Sequence, residues 1–115
     1  MLESADQIIG KLQVGSLISK VLLSATDAET IAPAGYSVVN ITQAGAAETR
    51  TLANGEEGQH LWIICTAYAA DTVVTAALAG SNTTITFNVD EDVWHGIFLS
   101  AEWHTLDIYG STALA

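Results

Sequence analysis

The chain has 115 residues, of which 50% are hydrophobic and only 14% charged, and 13 acids against three bases give a formal net charge of −10. Three scattered cations (Lys11, Lys20 and Arg50) cannot form the basic stripe that displaces counterions from nucleic acid, and the same acidity disfavours anionic membrane surfaces. The length fits one domain with a packed core, while so few charges leave a free monomer poorly solvated, so much of the surface is expected to be covered by other copies or by a larger assembly.

Residues 2–13, LESADQIIGKLQ, read as the only helix, or as a short arm. Ile8, Ile9 and Leu12 can share one face with Leu2, and Ser4 can cap the start. Gly10 weakens the segment and Gly15 breaks it. A helix this short is marginal in water, so residues 1–16 are expected to order against a partner or against the β domain. The stretch MLESADQIIG lacks a basic n-region and a long apolar h-region, so no signal peptide is expected, and no apolar run reaches transmembrane length. Asn40-Ile41-Thr42 and Asn82-Thr83-Thr84 match the glycosylation pattern by chance on this reading.

From residue 17 the periodicity turns toward two, giving a β domain over residues 17–115. Strand candidates are 17–23, 36–42, 48–52, 59–67, 72–78, 83–89, 93–99 and 102–109, all rich in Val, Ile, Thr and aromatics. They recur about every ten residues with Gly, Asn, Asp or Ser between them, a spacing shared by sandwiches and barrels, and the expectation is a small, mostly β domain of β-sandwich or jelly-roll-like type. The single proline, Pro33, sits in the loop APAGY.

Two hairpins can be registered. With Gly80-Ser81 as a two-residue turn, Val74 faces Phe87, Ala76 faces Ile85 and Leu78 faces Thr83; Thr75, Thr84 and Thr86 lie on the opposite, Thr-rich side. With Ser100-Ala101 as the turn, Phe98 faces Trp103, Ile97 faces His104 and His95 faces Leu106. Trp94, Phe98 and Trp103 then share one side, and His95, Ile97, Leu99, His104, Leu106 and Ile108 the other. A sheet apolar on both sides needs a cover on both sides, the second being another sheet or another subunit.

The stretch ANGEEGQHLWIIC (53–65) places two glutamates near a histidine. Asn54-Gly55 is a turn dipeptide that tolerates positive φ, and Gly58 adds a bend, so Glu56 and Glu57 are expected to project into water without the desolvation that acid–base work requires. Cys65, the only cysteine, reads as a buried, inert thiol. His95 and His104 lie diagonally on one face and could reach one metal with His60 or an acid as third ligand. No HExxH pattern or tight ligand spacing accompanies them, so structural or interface histidines are expected. Asp90-Glu91-Asp92 lacks the alternating calcium-loop layout and reads as a solvated turn. No GxSxG, P-loop or GxGxxG motif occurs. The expectation is a protein that is not an enzyme, with no catalytic residue, cofactor or metal assigned.

The run ITQAGAAETRTLANGEEGQHLWIICT, followed by DTVVTAALAGSNTTITFNVDEDVWHGIFLSAEWHTLDIYG, resembles a module of tailed-bacteriophage virion structural proteins. A turn of the type NG-x-EGQ opens a strand there, a VVT…TTITF hairpin follows, and a final hairpin carries an aromatic, a small turn and a Trp. The resemblance covers residues 36–112 and departs from the pattern at Gly80-Ser81-Asn82 and in its extra histidines. It implies a capsid decoration (cement) or head-fibre-like β protein, made in the host cytoplasm and located on the capsid surface. Its implied partners are further copies in a homotrimer and the major capsid protein. A tail-fibre or receptor- and glycan-binding module is the alternative. On this reading Ile8, Ile9 and Leu12 of the arm, and Trp62, Trp94, Phe98 and Trp103 of the β domain, are the packing or interface anchors.

Overall fold

In a computed structural model of the chain, residues 20–115 are described. The expected N-terminal helix or arm, with Ile8, Ile9 and Leu12, lies outside the described residues. Ten strands follow: β1 (Val21–Ser24), β2 (Glu29–Ile31), β3 (Val38–Thr42), β4 (Glu48–Leu52), β5 (His60–Ala67), β6 (Thr72–Thr75), β7 (Thr84–Phe87), β8 (Val93–Leu99), β9 (Glu102–Tyr109) and β10 (Ala113–Leu114). They form two five-stranded sheets, β1-β3-β5-β8-β9 and β10-β7-β6-β4-β2, packed as a β-sandwich.

The sandwich is as the sequence predicts, and its winding is mixed. From β1 to β6 the chain alternates between the sheets, so β1, β3 and β5 run parallel in one sheet and β2, β4 and β6 run parallel in the other. A jelly roll is wholly antiparallel. Here only the later pairings, β5/β8, β8/β9, β6/β7 and β7/β10, are antiparallel. Strands β2 and β10 are absent from the sequence reading because two or three residues carry no measurable period.

Alternation fills the space between the sheets. Val39 and Ile41 of β3, Leu61, Ile63 and Cys65 of β5, and Trp94 and Phe98 of β8 face Ile31, Leu52, Val74, Ile85 and Phe87 of the opposing sheet. Trp94 and Trp103 meet edge to face at 5.8 Å, and Phe98 and Trp103 at 5.1 Å. Each indole satisfies its own donor: Trp94 Nε1 donates to Thr105 Oγ1 at 2.9 Å and Trp103 Nε1 to the Ala53 carbonyl at 3.1 Å. Trp94, Phe98 and Trp103 are therefore buried within the chain, so of the two expected roles, packing or interface, these three take packing. Their side of the β8–β9 hairpin faces the second sheet, whose apolar residues already cover it.

The hairpin registers are partly revised. Phe98 is opposite Trp103 and Ile97 opposite His104, as expected, across a turn in which Ser100 and Ala101 both have positive φ, 54° and 67°. That conformation matches the twist of a two-residue hairpin, and Glu57 Oε1 accepts the Ser100 N–H at 3.0 Å. Farther along, a bulge leaves Leu106 unpaired, so His95 faces Asp107 instead of Leu106. In the β6–β7 pair, Val74 faces Ile85 and Thr72 faces Phe87, a slip of two residues from the expected register. The cause is the connection: Ala79 donates to the Trp103 carbonyl and Trp103 to the Ala77 carbonyl, so residues 77–79 leave β7 to bond the other sheet. A slip of two keeps every side chain on its face, so the Thr-rich side remains outward.

Two charged groups are buried, and one of them, Asp92, sits where the sequence placed solvent. Arg50 is buried, its Nε donating to Ser24 Oγ at 2.8 Å and its Nη1 to Glu48 Oε1 at 2.9 Å. Asp92 is also buried; its Oδ2 accepts the Asn88 and Val89 N–H groups and its Oδ1 the Ser111 N–H. The acidic run 90–92 is thus not a wholly solvated turn, because Asp92 ties the β7–β8 loop to the chain after β9. Asp90 caps the Tyr68 N–H at 2.6 Å, and Glu91 takes a positive φ of 70°.

Candidate functional site

The loop ANGEEG behaves as a turn, though by different glycines than the dipeptide rule implies. Gly58, at φ 84°, supplies the left-handed residue. Gly55 is needed for space, since a Cβ there would stand 2.7 Å from the Trp103 ring. Gln59 holds the loop by donating to the Pro33 and Tyr36 carbonyls at 2.7 and 2.9 Å, while its Oε1 accepts the Glu56 N–H at 2.9 Å. Glu56 and Glu57 are exposed. Cys65 is buried, and burial pushes its thiol above the ordinary range, which suppresses the thiolate a nucleophile needs. Among the described residues no group of three or more His, Cys, Asp or Glu side chains converges on a point.

The notable chemistry lies on the outer face of the β1-β3-β5-β8-β9 sheet. Strands β1, β3, β5 and β8 read VLLS, VVNIT, HLWIICTA and VWHGIFL, with no Asp, Glu, Lys or Arg among them. Pairing carries two rows of outward side chains across all five strands. Val21, Val38, Trp62, His95 and Asp107 stand opposite one another in turn, and so do Leu23, Asn40, Ile64, Val93 and Tyr109. A third, shorter row is His60, Ile97 and His104. Within the described chain nothing covers this face: Leu23 and Tyr109 are each 57% exposed, Val21 53%, Leu106 51% and Trp62 39%.

At the centre of the face Trp62 and His95 stack with ring centroids 3.9 Å apart and planes 6° from parallel. His60 stacks beside them, its Nδ1 3.1 Å from His95 Nε2. Alternation puts His60 and Trp62 on one side of β5, and antiparallel pairing sets His95 directly opposite Trp62. His95 is held below its ordinary value of 6.5, chiefly by desolvation, then by His60, with Asp107 opposing. The expected His95–His104 pairing gives way to His95–His60; His104 Nε2 lies 3.2 Å from the Leu99 carbonyl instead. Of the β-domain anchors expected from the sequence, Trp62 alone reaches this surface. The sequence offers His60 only as one possible third ligand beside His95 and His104, because 35 residues separate His60 from His95 and only the sheet order makes them neighbours.

No protein-family model matches the chain, and no curated protein sequence is similar to it.

Proposed function

We propose that the chain is a non-enzymatic structural protein of a tailed-phage virion, a capsid decoration (cement) protein that assembles as a homotrimer and docks on the major capsid protein. The observation that carries the reading is the outer face of the β1-β3-β5-β8-β9 sheet, whose strands β1, β3, β5 and β8 carry no charged residue, exposed on a chain of net charge −10. A solvated sheet face ordinarily alternates to polar residues. This one offers Val21, Leu23, Trp62 and Leu106 to a partner. Burial of such a face stabilises association by roughly 25 cal/mol per Å² removed from water, and closed rotational symmetry lets one patch be used in every copy. The resemblance of residues 36–112 to phage structural modules supports the virion assignment. In the same reading residues 1–16, with Ile8, Ile9 and Leu12, supply the arm that reaches neighbouring capsid subunits.

Quantitative mass spectrometry of purified virions tests the role. A copy number within a small factor of that of the major capsid protein is the expected result. Absence of the chain from virions overturns the assignment.

A second reading has its own observation. The exposed Trp62 indole, stacked on His95 with Asp107 alongside in register, has the form of a platform that takes the apolar face of a sugar ring. A copy number far below that of the capsid protein, with specific hits on a glycan array that Trp62→Ala abolishes, would favour a tail-fibre or receptor-binding module.

A further inference from the structure

We propose that His60 and His95 chelate one divalent transition-metal ion of the zinc class (Zn²⁺, Ni²⁺ or Cu²⁺) on the outer face of the β1-β3-β5-β8-β9 sheet. The proposal does not rest on the assembly reading, although both ligands lie on the same face as Trp62.

The argument begins with distance. His60 Nδ1 and His95 Nε2 are 3.1 Å apart. A metal bound to both at about 2.0–2.1 Å would subtend an angle of about 100°, between octahedral and tetrahedral geometry. The two nitrogens are therefore already spaced as cis ligands of one ion, and little movement is needed to admit it. Imidazole nitrogens suit Zn²⁺, Cu²⁺ and Ni²⁺, whereas Mg²⁺ and Ca²⁺ call for oxygen donors.

Three further features favour the site. Both ligands stand on paired strands, so backbone hydrogen bonds hold their separation. His95 is clamped by its parallel stack on Trp62, which limits ring rotation. Asp107, opposite His95 on β9, lies on the same face and provides negative charge beside the ion. Binding through these atoms needs a hydrogen on His60 Nε2 and on His95 Nδ1, so the ion replaces the proton that otherwise lies between the rings. His60 is exposed in the single chain, which there leaves the remaining coordination positions open to water. Two protein ligands are fewer than the three of a typical catalytic site, so the expected binding is reversible.

The test is titration calorimetry of the full chain with ZnCl₂ and NiCl₂ at pH 7.5, repeated for His60→Gln, His95→Gln and His104→Gln. The expected result is a site that weakens at least about tenfold in either of the first two variants, comparable to or beyond the effect of second-shell changes, and that His104→Gln leaves intact. Ring-nitrogen NMR then reads the site directly: Zn²⁺ should move the His60 Nδ1 and His95 Nε2 signals together, with His104 unmoved. Both rings lie at the surface, so the variants should fold, and unchanged melting of the metal-free proteins checks this. Equal binding by wild type and both variants, or ring signals that ignore Zn²⁺, would overturn the proposal.

Discussion

The two sheets of the sandwich turn very different outer faces to their surroundings. On the β10-β7-β6-β4-β2 sheet the outward residues include Thr30, Thr49, Thr51, Val73, Thr75, Thr84 and Thr86, which is nearly a threonine surface. On the other sheet the outward positions hold Val21, Leu23, Val38, Trp62, Ile64, Val93 and Ile97, with Asn40, three histidines and Asp107 between them. Threonine keeps the β-branched shape that a strand favours while offering a hydroxyl to water, so the first face is finished as it stands. The second has equal β propensity and fewer hydroxyls, Thr66 and Tyr109 among them. Core packing demands neither pattern, because both faces point away from the core. On the proposed reading the difference follows from what each face meets: water on one side, a partner on the other.

Several substitutions sharpen or break that contrast. The largest effect should come from the shared interior. Trp94→Ala should cost about 3–5 kcal/mol in urea unfolding through its cavity and its lost edge-to-face contact. Gly96→Ala should cost about 1–3 kcal/mol by overpacking, since a Cβ at Gly96 would overlap the Trp94 ring. Neither change alters the outer faces, so both should weaken the fold before they weaken assembly. Trp62→Ser should do the reverse. Association should fall by about 2 kcal/mol or more, the cost typical of a central aromatic anchor, while unfolding of the isolated chain shifts by about 1 kcal/mol from the lost stack. Concentration-dependent sedimentation beside urea melts separates the two terms, and an equal effect on both would break the contrast.

The smallest effect is the pH response of His95. Its value is lowered in the folded chain, so the unfolded chain binds the proton more readily. Stability should therefore be full above the ordinary value of 6.5 and decline as pH falls from there toward the lowered folded value. In His95→Gln, with a chelator present in both samples, that part of the slope should vanish. A wild-type slope of the opposite sign would contradict the packing described for the stack.

Much of the architecture was legible from period and turns. Strands β4, β8 and β9 match their predicted bounds residue for residue, because each is a clean run between strong turn signals. The Ser100-Ala101 turn set the register of Phe98 and Trp103 correctly. The alternation of the chain between sheets was not legible, since a strand carries its face in its sequence but not its neighbours. That gap hid the His60–His95 pair. It also hid the opposing sheet that buries Trp94, Phe98 and Trp103. Asp92 was misplaced for a related reason: a charge in a sequence reads as solvated unless its partners are known, and its partners come from Asn88, Val89 and Ser111. Leu106 was mispaired because a bulge adds a residue without changing the composition.

The most direct test of the central claim is sedimentation velocity of the full chain with one carboxylate added to either outer face, Val38→Glu on the aliphatic face and Thr75→Glu on the threonine face. Wild type and Thr75→Glu should both sediment as trimers, and Val38→Glu should sediment as a folded monomer. A monomeric wild type, or a Val38→Glu protein that still forms the trimer, would contradict the assignment of this face to assembly.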